Sequence, residues 1–187
     1  MRSIGGSVRM ADAFDARTNT IVALLARRRV ALGFIVAIAA IVLADPSWPS
    51  WRAGLLIAVL GEAVRVWAAG HLEKSREVTR SGPYRWTRHP LYVGSSIMAL
   101  GIVIASRSMV LAVLAAVYMI ATIAAAVRAE ESFLRRTFGE TYDRYRRSEA
   151  EPMPRRFSLA RALRNREYRA VAGLTAGFIL LAIKMML

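Results

Sequence analysis

Met109–Val127 reads MVLAVLAAVYMIATIAAAV, nineteen consecutive residues without a charge. A helix crossing the hydrocarbon of a bilayer needs roughly 17–25 mainly apolar residues, so this stretch is long enough to cross once. Outward from it the pattern repeats. Val30–Ala44 and Leu91–Ser106 carry no charge, Ala170–Leu187 carries only Lys184, and Ala53–Gly70 carries only Glu62 and Arg65. Five such runs in 187 residues leave little chain for a soluble core. The sequence therefore predicts an all-α, polytopic membrane bundle of about five transmembrane helices.

The charges test this reading independently. The chain holds 27 Lys and Arg against 13 Asp and Glu, a net charge of +14. Residues 1–29, 71–89 and 128–169 together hold 23 of the 27 cations, while Asp45–Arg52, the Ser106–Ser108 turn and the final helix hold three. Cytoplasmic segments of membrane proteins carry the Lys/Arg excess. Five spans with a cytoplasmic N-terminus give this alternation, and four do not. Trp48 and Trp51 then fall in an outer loop, as interfacial aromatic residues do. Anionic headgroups account for the basic excess, and no nucleic-acid partner is expected. The Arg27–Arg29 cluster before Val30–Ala44 mimics a secretory signal, but 29 residues are too long for its basic lead. Residues 13–26 read instead as a short helix on the inner surface. The expected organisation is a single membrane domain over 1–187. It has a basic cytoplasmic segment at 1–29, spans one to four within 30–127 with a cytoplasmic loop at 71–89, a cytoplasmic catalytic segment at 128–169, and span five at 170–187.

Composition removes much chemistry. Without cysteine there is no disulfide, thiolate zinc site or thiol nucleophile. Two histidines make no His-rich metal cluster, and no metal ligand set is expected. Neither GxGxxG nor GxxxxGKS occurs, so a Rossmann or P-loop nucleotide site is not indicated.

Two inner-face motifs stand out. Gly82–Gly94 reads GPYRWTRHPLYVG. Gly-Pro marks a turn, and Pro90 suits the first turn of a helix. Arg88 and His89 then stand at the helix mouth, where unpaired N–H groups favour an anion. Tyr84, Trp86 and Tyr92 offer faces that attract cations. Snorkelling of Arg85 and Arg88 with Trp86 at the interface explains the same residues without a ligand. The second motif is Glu130–Tyr145, EESFLRRTFGETYDRY, read as an extension of the fourth helix that ends near Gly139. At about 100° per residue, Phe133, Leu134, Thr137 and Phe138 flank Glu130. Glu130 is thus placed within an apolar face, where it needs a protein cation or a cationic ligand. Glu131 lies on the flank, in reach of Arg135 at i+4. In the second helix, Glu62 and Arg65 at i, i+3 allow mutual neutralisation, although intramembrane charges are also functional candidates. His71 reads as interfacial.

GPYRxxRHPxYxG, a helical hairpin, EExxLxxxFGxxYxxY and the following Pro152 and Pro154 together resemble the isoprenylcysteine carboxyl methyltransferase and phospholipid methyltransferase family. These are integral membrane enzymes that use S-adenosyl-L-methionine without a Rossmann fold. The resemblance covers about Val78–Pro154. It implies that Tyr84, His89, Pro90, Leu91 and Tyr92 line the cofactor pocket. It implies that Arg76, Glu77, Val78 and Thr79 close over the cofactor, with Arg76 where a His is common. It further implies that Glu130 binds the cofactor and that Arg88 and Glu131 take part in the chemistry. Where the prenylcysteine enzymes have a substrate-contacting Arg, this chain has Ala126, with Arg128 on another face. The function implied is methyl transfer to a lipophilic or prenylated acceptor drawn from the bilayer, a carboxylate first and a phospholipid amine as the alternative. A sterol-type reductase using NADPH and a non-enzymatic membrane protein are the other readings. The acceptor's identity and the oligomeric state are left open.

Overall fold

A computed structural model describes residues 31–187. The basic segment 1–29, its expected surface helix and the orientation of the N-terminus lie outside these residues. Every regular element among the described residues is helical. They are α1 (Ala31–Leu43), α2 (Trp48–Ala69), a 3-10 turn (Gly82–Arg85), α3 (Pro90–Ser106), α4 (Met109–Phe138), α5 (Glu140–Arg146), α6 (Leu159–Arg164) and α7 (Tyr168–Met186).

The apolar runs are helices where the sequence places them. Two of these helices, α4 and α7, are each long and apolar enough to cross a membrane; α1 and α3 are apolar but shorter. Their apolar side chains point outward: Val117 is 63% and Ile120 71% exposed. A soluble protein does not present such a surface over whole helices, whereas lipid covers it. At thirty residues and 1.5 Å per residue, α4 is about 45 Å long. That exceeds a hydrocarbon core of about 30 Å, and its charged last turns, from Arg128 onward, extend past the apolar stretch.

α2 and α3 pack antiparallel, backbone on backbone. A Cβ added at Gly54 would meet the Gly101 carbonyl at 2.4 Å, and one at Gly61 would meet the Met98 amide nitrogen at 2.6 Å and the Gly94 carbonyl at 2.7 Å. In lipid, where apolar surface gains nothing by leaving its surroundings, close approach of this kind supplies the association energy. Ala58 and Ala105 fill the same seam and are fully buried.

At the end away from the long loops, Ser47 caps α2 in a reciprocal pair with Ser50. Trp48 and Trp51 are therefore the first turn of α2 rather than loop residues. The Trp51 indole N–H donates to the Phe178 carbonyl at 2.9 Å, which ties α2 to α7. Lys184 donates to the Ile41 and Val42 carbonyls, both at 2.8 Å, so the cation of α7 satisfies carbonyls left open at the end of α1. Arg107, at φ 53°, turns the chain between α3 and α4.

Gly61→Val should break the α2–α3 seam, because the two nearest atoms it meets are backbone and cannot yield. We expect destabilisation by at least about 1–3 kcal/mol, the usual cost of overpacking, read as a lowered Tm in detergent. Gly177→Ala, with nothing within 4 Å, should leave Tm unchanged.

Candidate active site

The site begins with the turn that precedes α3. Gly82 has φ 55°, and a Cβ there would strike the His71 ring at 2.5 Å. His71 is buried rather than interfacial, and its Nδ1 lies 3.1 Å from Ser81 Oγ. Burial, reinforced by Arg161 and Arg155, holds its pKa below the ordinary histidine value, so the ring stays neutral beneath the turn. Tyr84 follows, also buried, with its carbonyl accepting from the Tyr145 hydroxyl at 2.7 Å. Burial first, then the Glu130 charge, pushes the Tyr84 phenol well above its usual range. Burial also lifts Tyr145 to about 12. Both remain hydroxyl donors.

His89 caps α3, with Pro90 in the first turn, and joins the two motifs. Its Nε2 is 3.2 Å from Glu131 Oε1, and Arg88 Nη1 reaches the same oxygen at 3.2 Å. Its Nδ1 is buried with no hydrogen-bond partner, 3.8 Å from Glu130 Oε2. The Tyr92 hydroxyl donates to that Glu130 oxygen at 3.1 Å. The Glu131–Arg135 pair expected from helical spacing is absent. Arg135 instead meets Asp143 at 3.3 Å, because the chain reverses at Gly139 (φ 47°) and brings α5 back beside the end of α4. Glu131 is taken by Arg88 and His89 from another element, a contact that periodicity within one helix does not reveal.

Among the described residues, the apolar face around Glu130 borders open space. With Ala126, Ala129, Phe133 and Leu134 it lines a cavity of about 360 Å³. Its charge partners are thus a tyrosine hydroxyl and a more distant imidazole, and Glu130 is the more exposed of the two acids, 41% against 28%.

Tyr84, Arg88, His89, Pro90, Leu91, Tyr92, Glu77, Val78, Thr79 and Glu130 all line this cavity. Glu131 stands behind Arg88 and His89. Arg76 is exposed and is not in the wall. Trp86 is 75% exposed and rests on Trp67, ring centres 5.4 Å apart, away from the cavity.

The sequence places residues 153–167 in the catalytic segment 128–169 but singles out none of their side chains, and these build one side of the site. Residues 153–167 fold back and hold the 72–79 wall. Arg155 grips Glu77 with both terminal nitrogens, at 2.5 and 2.8 Å. Arg161 pairs with Glu73 at 2.7 Å. Asn165 donates to the Ala69 and Leu72 carbonyls, both at 2.9 Å. Asn165 and Glu167 themselves line the cavity, on either side of Arg166 at φ 62°. The one available signal was an acid at the mouth of an apolar run, Glu167 before α7.

Residues 32–141 match the family described as phospholipid methyltransferase. The chain belongs to this family. Its members are membrane methyltransferases, which agrees with the resemblance carried by the two motifs. Similar curated proteins are the nickel-cobalt-cadmium resistance protein NccN of Alcaligenes xylosoxydans xylosoxydans and the cobalt-zinc-cadmium resistance protein CzcN of Cupriavidus metallidurans. The first is 32% identical over 111 residues, 57% of this chain and 52% of that protein. The second is 31% identical over 111 residues, 57% of this chain and 51% of that protein. The chain thus spans about half the length of the curated relatives it matches. No solved structure matches it. The family match ends at residue 141, before the segment that closes the cavity.

Arg155→Ala should release the 72–79 wall. Hydrogen exchange of its amides is expected to quicken by about tenfold or more, the effect of removing about 1.4 kcal/mol from local opening. Exchange across the α2–α3 seam should not change.

Proposed function

We propose that this protein is a multi-pass membrane methyltransferase that uses S-adenosyl-L-methionine, with a lipophilic carboxylate as acceptor and the cavity facing the cytoplasm. The observation that carries the reading is Glu130. It is a carboxylate on a cavity wall, in a family of methyltransferases, held among the described residues by Tyr92 and the more distant His89. Such a group fits the hydroxyl-bearing or cationic part of the cofactor. The donor set fits the rest. Tyr84 and Tyr92 bring aromatic rings for a sulfonium, and Arg88 brings a cation for the cofactor's carboxylate. The volume is within the roughly 300–1,000 Å³ of small-molecule sites.

When bound, the cofactor supplies an electrophilic methyl group on sulfur. The protein's part is alignment and exclusion of water. Glu131 fixes Arg88 and His89 at the mouth of α3, and the 72–79 wall, clamped from behind, covers the opposite side. A carboxylate acceptor is already ionised at neutral pH and needs no general base. The water-soluble cofactor enters from the charged end, and the acceptor comes laterally from the bilayer.

The reconstituted protein, given methyl-labelled S-adenosyl-L-methionine, a lipid extract and a prenylcysteine analogue, should yield label that base releases as methanol. Label that enters lipid and resists base would mean N-methylation; binding of NADPH in place of S-adenosyl-L-methionine would mean a reductase. Glu130→Ala should weaken cofactor binding by about tenfold or more, the loss of one charge-assisted hydrogen bond. Glu131→Ala should keep most of the binding and lose turnover. Equal loss of binding in both would remove Glu130 from the cofactor site.

A further inference from the structure

A second cavity of about 360 Å³ lies among α1, α3 and α4, with Val36, Met98, Ile102 and Leu111 in its walls. Its lining is mainly apolar, with the Tyr118 hydroxyl on one wall and Arg65 and Ser95 as the other polar side chains. Arg65 is also the partition between this chamber and the candidate active site. Its guanidinium donates to Ser95 Oγ, on the chamber side. It lies 3.5 Å from the Leu91 carbonyl and 2.5 Å from Glu167 Oε1, both residues of the active-site wall. Glu62 stands 3.5 Å from Arg65 Nε. The side chains of Arg65, Glu62 and Glu167 are only 20%, 9% and 8% exposed. The spacing of Glu62 and Arg65 suggested a simple neutral pair, but the structure adds a second acid to a single cation.

We propose that Arg65 is the acceptor-positioning residue and Glu167 its exchangeable partner. The acceptor is a long-chain carboxylate whose tail lies in the apolar chamber and whose carboxylate takes the place of Glu167 on Arg65. This rests on the methyl-transfer reading above. The exchange leaves the number of charges around Arg65 unchanged, so no ion is buried without a partner. Glu167 has somewhere to go, because it already lines the active-site cavity. An acceptor held at this partition presents its oxygen to the donor side while its tail stays in apolar surroundings. The carboxylate oxygen forms the new O–CH₃ bond as the methyl–sulfur bond of the sulfonium breaks, with that electron pair remaining on sulfur. A carboxylate and a sulfonium become a neutral ester and a neutral thioether, with no proton to place. The ester no longer competes with Glu167 for the guanidinium, so the same exchange run backwards releases product.

The test is binding without cofactor, by titration of the detergent-solubilised protein with dodecanoate, methyl dodecanoate and dodecylamine. Wild type should prefer the acid over its ester. Arg65→Gln should abolish the preference, Arg65→Lys should retain part of it, and Glu167→Gln should strengthen acid binding severalfold. In turnover, the acceptor KM should rise for Arg65→Gln and fall for Glu167→Gln; Arg65→Gln, outside the cofactor cavity, should keep cofactor affinity within about twofold of wild type, below 0.5 kcal/mol. A purely structural ion pair would weaken acceptor binding in both variants, and that result overturns the proposal. So does an amine preference that Glu167→Gln removes, since the acid would then be the anchor. Should Arg65→Gln fail to fold, the opposite shifts of Arg65→Lys and Glu167→Gln decide. Methyl transfer that proceeds with these shifts missing sinks this proposal alone; no S-adenosyl-L-methionine binding or transfer by wild type sinks both.

Discussion

The close contact of α2 with α3 sets the positions of everything at the charged end. Because Gly54, Gly61, Gly94 and Gly101 bring the two backbones together, the start of α3 is held against the last turns of α2. The Arg65 stem passes directly over Gly94, where an added Cβ would meet its Cγ at 2.6 Å. One seam of small residues therefore places both the His89 mouth of α3 and the buried cation beside it. Side chains of ordinary size would separate the helices, and Arg65 would no longer reach Leu91 and Ser95.

On this frame the charged end is assembled by ion pairs between segments distant in sequence. Arg88 and His89 reach Glu131, Arg155 reaches Glu77, Arg161 reaches Glu73, and Arg65 reaches Glu167. Exposed pairs of this type contribute little individually. Here several are partly buried and share one cavity wall, so their effect is to fix geometry. The large basic excess of residues 128–169 is thus not only a lipid-facing feature, because part of it is spent holding the 72–79 wall. That part lies beyond residue 141, where the family match ends.

The adjacent acids Glu130 and Glu131 show how helical geometry divides labour. A rotation of about 100° is enough to place Glu131 against Arg88 and His89 and to leave Glu130 on the cavity wall. Angular reading located Glu130 on the apolar face correctly. It could not tell that this face borders open space, because an apolar stripe that packs on protein and one that lines a cavity have the same composition.

Long uncharged runs determine helices that need a lipid-like environment, since backbone groups in hydrocarbon must bond within their own segment. Pro90, Gly139 and the paired motifs likewise determine where α3 begins, where α4 ends and which family the chain joins. These are local properties, written in consecutive residues. Which acid meets which cation was decided only by the tertiary structure. Glu131 with Arg88 and His89, Arg135 with Asp143, Glu167 with Arg65, and residues 153–165 with the 72–79 wall all join segments brought together by packing. Charge pairing has no period along the chain, and the preference of one carboxylate among many available cations depends on distance and burial.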